Sequence, residues 1–155
     1  MANIYAHRLG RILSMILRDM YSIRPSSAAD RCVLATQFST KLKSWREQIS
    51  TFLDTENANT ALLIPIFRRQ RNVLNLAYWH TMMLTHRPFL LRKFTELQSD
   101  GEGNNQNKSQ TDENVWECLT AAMNIVNIVD GLAQAEQMFQ AFWVGIASPQ
   151  LISGT

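Results

Sequence analysis

Cysteine is scarce in this sequence, which has two, Cys32 and Cys118, among 155 residues. Two cysteines so far apart in the chain form no disulfide framework, and they supply no zinc ligand set by themselves. We therefore expect both thiols to be free and buried, as is usual in a reducing compartment.

Long apolar runs are also missing. No apolar stretch approaches the roughly 18 residues that a membrane-spanning helix needs, and arginine or histidine interrupts the best candidates. No apolar segment follows the basic residues of the N-terminus, so we expect no secretory signal. Apolar residues make up 46% and charged residues 18%, which is typical of a single globular domain without a membrane partner.

Catalytic motifs are a third absence, since the sequence has no glycine-rich phosphate loop and no nucleophile elbow. His80 and His86 are six residues apart, which places them on different faces of a helix and not together on a metal. His86 beside Arg87 can act as a general base, but a histidine that ends an apolar helix is more often a buried hydrogen-bonding group. We predict no enzymatic activity, and no metal or cofactor bound by this chain.

Charge is distributed unevenly. Residues 1–94 contain 14 of the 15 Lys and Arg against five acids, whereas residues 95–155 contain only Lys108 against eight acids. A basic half can indicate a nucleic-acid partner. We favour the alternative that the two halves pack together, because several arginines fall within or beside apolar helix, where their stems cover the core.

Apolar residues recur at helical spacing along most of the chain, and no stretch alternates as a half-buried strand does. The second helix has a particularly regular apolar seam, formed by Leu34, Phe38, Leu42, Trp45, Ile49 and Phe52. The predicted helices are residues 3–22, a helix beginning between Ser27 and Asp30, Pro65 to about His86, a helix capped by Thr111 or Asp112, and Leu132 to about Val144.

Proline and a polar segment interrupt this pattern. Pro88 removes the hydrogen bond to the Leu84 carbonyl and is predicted to kink or break the third helix, leaving a short amphipathic piece after it. Residues 98–112 have no large apolar side chain, which predicts a flexible surface loop. The sequence therefore predicts an all-α fold, an irregular bundle of about five to six helices with a kink at Pro88 and a polar loop near 98–112.

The helix after this loop is predicted to bury one broad apolar face, and Gly131 is a point where it can bend or end. We divide the chain into N-terminal helices (1–97), the loop (98–112), C-terminal helices of the same domain (113–147) and an irregular tail (148–155). The predicted inner face of this helix after the loop consists of Val115, Trp116, Cys118, Leu119, Ala122, Ile125, Val126 and Val129.

The segment from Phe67 to Leu91, FRRQRNVLNLAYWHTMMLTHRPFLL, resembles part of the regulatory domain of fungal zinc-cluster (Zn2Cys6) transcription factors. This part is called the middle homology region or fungal-specific transcription factor domain. Looser similarities lie at Leu42–Arg46, an L-x-x-W helix, and at Met138–Trp143. The residues that carry the main resemblance are Arg68, Arg69, Arg71, Leu76, Tyr78, His86, Arg87, Pro88, Phe89 and Leu90.

The resemblance implies a nuclear regulatory domain that does not itself contact DNA but tunes transcription by RNA polymerase II. It implies that zinc and DNA are bound by a separate module, and that partners are the other domains of the full-length factor, co-regulators or a small effector. If an effector binds, we expect it on the wall formed by Tyr78, Trp79, Met82 and Met83, although these residues are more often simply core. Leu76→Asp is expected to unfold the domain.

Two departures limit the resemblance. The six clustered cysteines of the family's DNA-binding module are missing, and the last family helix gives way to VGIASPQLISGT, with Gly145 and Pro149 as helix breakers. We expect the chain to be a partial or truncated copy of such a factor. The alternative is a free-standing helical interaction module without a DNA-binding partner domain. An in-frame upstream six-cysteine cluster distinguishes the two.

Overall fold

A computed structural model describes residues 2–22, 27–53, 65–98 and 108–134 of the chain. These residues form helices and contain no strand, so the predicted all-α bundle is confirmed. The middle of the polar segment, the last predicted helix beyond Gln134 and the tail lie outside the described residues. The first residues of that predicted helix, 132–134, belong instead to the preceding helix, which continues through Gly131. The helices are α1 (Ala2–Met20), α2 (Ala28–Gln48), α3 (Ser50–Leu53), α4 (Pro65–Gln98) and α5 (Lys108–Gln134).

Helix α2 begins where its capping residues predict. Ser27 Oγ accepts a hydrogen bond from the Asp30 backbone N–H at 3.0 Å, and Asp30 Oδ2 accepts one from the Ser27 N–H at 3.3 Å. This reciprocal capping box satisfies two backbone donors that a helix start otherwise leaves unpaired. The predicted start of the helix between Ser27 and Asp30 is confirmed.

The apolar seam of α2 continues past the end of that helix. Ile49 stops α2, since its N–H bonds back to the Arg46 carbonyl, and the one-turn helix α3 follows. Phe38, Leu42, Trp45 and Ile49 are buried, while Leu34 and Phe52 are half-buried and pack against the core. The predicted seam packs on the core, but it was expected on one helix, and Ile49 and Phe52 lie beyond the end of α2. Leu53 at the end of α3 is also buried.

Helix α4 runs for 34 residues and contains Pro88 in its interior. The predicted end of this helix near His86 is therefore wrong, and the piece that follows Pro88 is not a separate helix. The carbonyl of Leu84, which loses its helical donor at Pro88, accepts a hydrogen bond from the Tyr21 hydroxyl at 2.8 Å. Buried Thr85, His86 and Phe89 hold the turns on both sides of the proline.

Helix α5 begins at Lys108, before the cap predicted at Thr111 or Asp112, so the last residues of the predicted loop are helical. Its predicted inner face is wrong in part, because α5 packs almost entirely on α4 and buries only a narrow strip. The buried strip of α5 consists of Asn114, Val115, Cys118 and Ala121. The predicted residues that are exposed instead are Trp116, Leu119, Val126 and Val129.

Helix α4 is the centre of the bundle, since it contacts each of the other described helices. The core lies between α4 and the seam of α2, with Leu9 and Ile16 of α1 on one side. Cys32 and Cys118 are both free and buried, as predicted. No helix in the described part of the chain has the length and apolar character needed to cross a bilayer.

Candidate functional site

The residues of the family resemblance all lie on α4, but they face different environments. Tyr78, His86 and Phe89 are buried, whereas Arg69 and Arg87 are exposed. The half-buried members of the set are Arg68, Arg71, Leu76, Pro88 and Leu90. The motif is therefore a helix in the centre of the bundle with an exposed basic side, and only part of it meets the core.

An aromatic cluster surrounds Tyr78. Its ring stacks on Trp45 of α2 with centroids 6.0 Å apart and meets Trp79 edge-on at 4.9 Å. The guanidinium of Arg46 lies 5.1 Å from the Tyr78 ring centroid and 5.4 Å from that of Trp79. Arg46 also donates to Asn75 Oδ1 at 2.9 Å. Cation–π and aromatic contacts of this kind join α2 to α4.

The predicted effector wall is divided between core and half-buried positions. Tyr78 and Met82 are 3% and 1% exposed, so a ligand reaches them only by displacing core packing. Trp79 and Met83 are half-buried and pack against the core. Burial raises the pKa of Tyr78, while the nearby Arg46 opposes the shift. In this conformation all four residues contribute to packing.

A polar contact joins α4 to α5 at His86, which is 3% exposed. His86 Nδ1 lies 2.8 Å from Asn114 Oδ1, and Asn114 Nδ2 donates to the Gln110 carbonyl at 2.7 Å. Because the amide nitrogen is already directed to Gln110, its oxygen faces the histidine and can only accept. The neutral imidazole therefore carries its proton on Nδ1, which leaves a lone pair on Nε2.

His86 is held in its neutral form by its surroundings. Burial lowers its pKa below the ordinary value of 6.5, and the hydrogen bond to Asn114 offsets part of this shift. Nε2 is buried and has no hydrogen-bond partner among the described residues. An unpaired buried acceptor costs about 1–3 kcal/mol. Nε2 is enclosed in this conformation, while the Nδ1 side of the ring joins α4 to α5 through Asn114.

Near His86, a small cavity of about 210 Å³ lies between α2, α4 and α5. Lys43 of α2 and Glu117 of α5 form an ion pair of 2.9 Å, and both residues line the cavity. Both side chains are about half exposed, so the pair contributes at most about 1 kcal/mol.

Cys118 Sγ donates to the Met83 carbonyl at 3.7 Å, and burial raises the pKa of this thiol.

Within the described ranges, no three His, Cys, Asp or Glu side chains lie close enough together to hold a metal ion. Comparison with known proteins gave no family model, no curated protein and no solved structure that matches this chain.

Two polar residues that contact α4, Asn114 and Arg46, were not predicted from the sequence. Asn114 lies in the buried strip of α5, but a lone asparagine among apolar residues does not reveal that its partner is a histidine 28 positions earlier. Arg46 follows Trp45 directly, and this adjacency was the only available signal for its contacts with the aromatic rings of α4.

Proposed function

We propose that this chain is a regulatory helical domain of a fungal transcription factor that controls RNA polymerase II transcription in the nucleus. In this proposal zinc-dependent DNA binding belongs to a separate module, and this domain tunes activation. The observation that supports it is the position of α4. The helix that carries the family-like residues contacts all of the other described helices. A change at any of these contacts can therefore be passed to the whole bundle.

The proposed mechanism is a change of helix packing that a partner or small effector biases. α5 packs extensively on α4 but makes few contacts with α2. On the α2 side, the described polar link to α5 is the surface pair Lys43–Glu117. Because that link is weak, α5 can shift relative to α2 at low cost, and a ligand with different affinity for the two packings selects one.

A reporter assay tests this function. The chain is inserted between a heterologous DNA-binding domain and an activation domain, and transcription is compared with that of a fusion carrying an unrelated helical domain of similar length. We expect lower output with this chain. Leu74→Asp, at a 4% exposed position, is expected to relieve the restraint, whereas Val73→Asp, at a 56% exposed position, keeps it.

Protein levels are measured by immunoblot in the same cells, so that degradation of a variant is not mistaken for regulation. Equal output from this chain and the unrelated domain contradicts the proposal. Recovery of the complete transcript is an independent test, because the proposal requires a six-cysteine cluster encoded in frame upstream of these residues.

A second candidate function, a free-standing helical interaction module, is supported by the exposed side of α5. Trp116 is 71% exposed, and three more apolar residues follow it at three- and four-residue steps. These four residues (Trp116, Leu119, Met123 and Val126) form the α5 stripe. A contiguous exposed apolar stripe is typical of an interaction surface.

The two candidates differ in what the α5 stripe does. Trp116→Gln and Met123→Gln leave the fold intact in either case, because both side chains are exposed. For the interaction module, these variants abolish association with co-purifying partners when no other domain is attached. For the regulatory domain, the association requires the rest of the transcription factor.

A further inference from the structure

An open groove lies between α1 and α2, with a volume of about 540 Å³. Arg8, Arg11, Ile12 and Met15 of α1 line it at helical spacings of three and four residues. The opposite wall is α2, which presents Lys41 and Trp45 on one face. A volume of this size is within the roughly 300–1,000 Å³ of small-molecule sites.

The groove combines an apolar floor with a cationic rim. Ile12 and Met15 are half-buried and form the groove floor, and Trp45, which is 3% exposed, lies next to them at the edge of the core. The exposed Arg8, Arg11 and Lys41 are the groove cations. None of the described lining residues is acidic.

The groove cations make no close ion pair in the described part of the chain, although Lys41 lies near enough to Asp19 to help lower the pKa of that carboxyl. Arg8 donates to the neutral Gln48 side chain at 3.0 Å, and Lys41 lies 5.4 Å from the ring centroid of Phe38. Asp19 is already paired with Arg18 at 2.6 Å. A cleft lined by one sign of charge concentrates counter-ions of the opposite sign.

We propose that this groove binds a small organic anion, a carboxylate that carries an apolar body. The carboxylate lies among the groove cations, where guanidinium groups donate paired hydrogen bonds to its two oxygens. The apolar body covers the groove floor and removes it from water. A polyanion without an apolar part satisfies the rim but leaves the floor exposed, and an uncharged apolar molecule leaves the cations unused.

This site is distinct from the wall of Tyr78, Trp79, Met82 and Met83. The inference does not depend on the transcription-factor proposal, because it is tested on the isolated chain by binding alone. If the chain is a regulatory domain, the groove gives an effector access to α2 without disrupting the core around Tyr78.

Three probes share the same apolar body and differ in the head group: octanoate, octanol and octylammonium. They separate the contribution of the carboxylate from that of the apolar body. Binding is followed through the indole N–H resonance of Trp45, assigned among the four tryptophans of the chain. We expect octanoate to shift this resonance in a saturable way and to bind at least about tenfold more tightly than octanol. Octylammonium is expected to produce no shift over the same range. High salt weakens octanoate binding but not octanol binding.

Substitutions of single cations test which positive charges contact the carboxylate of octanoate. Arg11→Gln and Lys41→Gln are each expected to weaken octanoate binding about tenfold and to leave octanol binding unchanged. Arg87→Gln removes one exposed positive charge from α4, outside the groove, and is expected to have little effect. All three positions are exposed, so the variants should fold, and circular dichroism verifies this.

Several outcomes overturn the inference. Equal affinities for octanoate and octanol mean that the groove is only an apolar surface. Equal losses for Arg87→Gln and Arg11→Gln mean that net charge alone attracts the probe. An unchanged Trp45 resonance with octanoate, together with a shift on addition of a DNA duplex, means that the cations contact a nucleic-acid backbone instead.

Discussion

The hydroxyl of Tyr21 donates a 2.8 Å hydrogen bond to the carbonyl oxygen of Leu84, the acceptor that Pro88 deprives of its helical donor. The two residues are 63 positions apart. A proline within a helix removes one backbone hydrogen bond and crowds the preceding turn. The tyrosine supplies the missing donor from the end of α1, and the helix continues through the proline.

The Tyr21–Leu84 bond predicts a specific double-mutant cycle. Tyr21→Phe is expected to lower the free energy of unfolding by about 1 kcal/mol, because the Leu84 carbonyl loses its donor. In a Pro88→Ala background the alanine N–H can bond to Leu84, so the same substitution should cost clearly less. Urea unfolding of the four proteins measures the coupling. Equal costs in both backgrounds show that the tyrosine contributes packing only.

The buried neutral His86 predicts a pH dependence of stability. Its pKa in the fold is below 6.5, so the unfolded chain takes up this proton at a higher pH than the folded chain does. Stability is therefore complete above about pH 6.5 and decreases as the pH falls toward the pKa of the folded state. Urea unfolding between pH 5 and pH 8 measures this change.

His86→Gln should flatten this part of the pH profile, and His80→Gln, at an exposed position, is the matched control. If His86→Gln does not fold, an NMR titration of the His86 imidazole gives the answer in the unchanged protein. A His86 pKa above 6.5 contradicts the prediction, since it requires that the imidazolium be stabilised by the fold.

Two adjacent residues of α4 test which side of the helix meets the core. Leu74 is 4% exposed and Val73 is 56% exposed. Leu74→Asp is expected to cost several kcal/mol, comparable with a total stability of about 5–15 kcal/mol, because it buries an unpaired charge. Val73→Asp should change stability by less than about 1 kcal/mol. Melting curves of both variants compare the two positions, and similar curves would falsify the assigned face.

The exposure of Leu76 revises the sequence-based prediction that Leu76→Asp unfolds the domain. This residue is half-buried, so an aspartate there retains access to water and its effect should lie between those of the other two substitutions.

The capping box of α2 predicts a local effect. Ser27→Ala is expected to lower stability by about 1 kcal/mol, because the Asp30 N–H loses its acceptor. Ser44→Ala, at an exposed position within the same helix, is the matched control and should have little effect. Thermal unfolding of both variants checks this, and equal shifts of Tm argue against a capping role for Ser27.

Periodicity and capping chemistry were sufficient to predict the helices at the start of the chain. The seam from Phe38 to Ile49 recurs at steps of three and four, and Ser27 with Asp30 forms a local start signal that needs no distant partner. Free, buried cysteines followed in the same way from their number and spacing. The helix start and the apolar seam depend on neighbours within a few residues, which the sequence displays directly.

The candidate groove was not predicted, because its two walls come from different helices. Arg11 and Lys41 are 30 positions apart, and neither residue alone distinguishes a solvated surface from a binding site. The sequence showed an excess of basic residues in this half of the chain. Only the packing of α1 on α2 places three of these cations around one apolar floor.

The sequence by itself determined that this chain is helical and which residues can cap or line its helices, since these properties arise from local backbone and side-chain chemistry. Only the tertiary structure decided that α4 continues through Pro88, that His86 pairs with Asn114, and which face of α5 is buried. The apolar residues of α5 cover more of its surface than one neighbour can bury. The choice of face is therefore made by the partner helix and not by the apolar pattern.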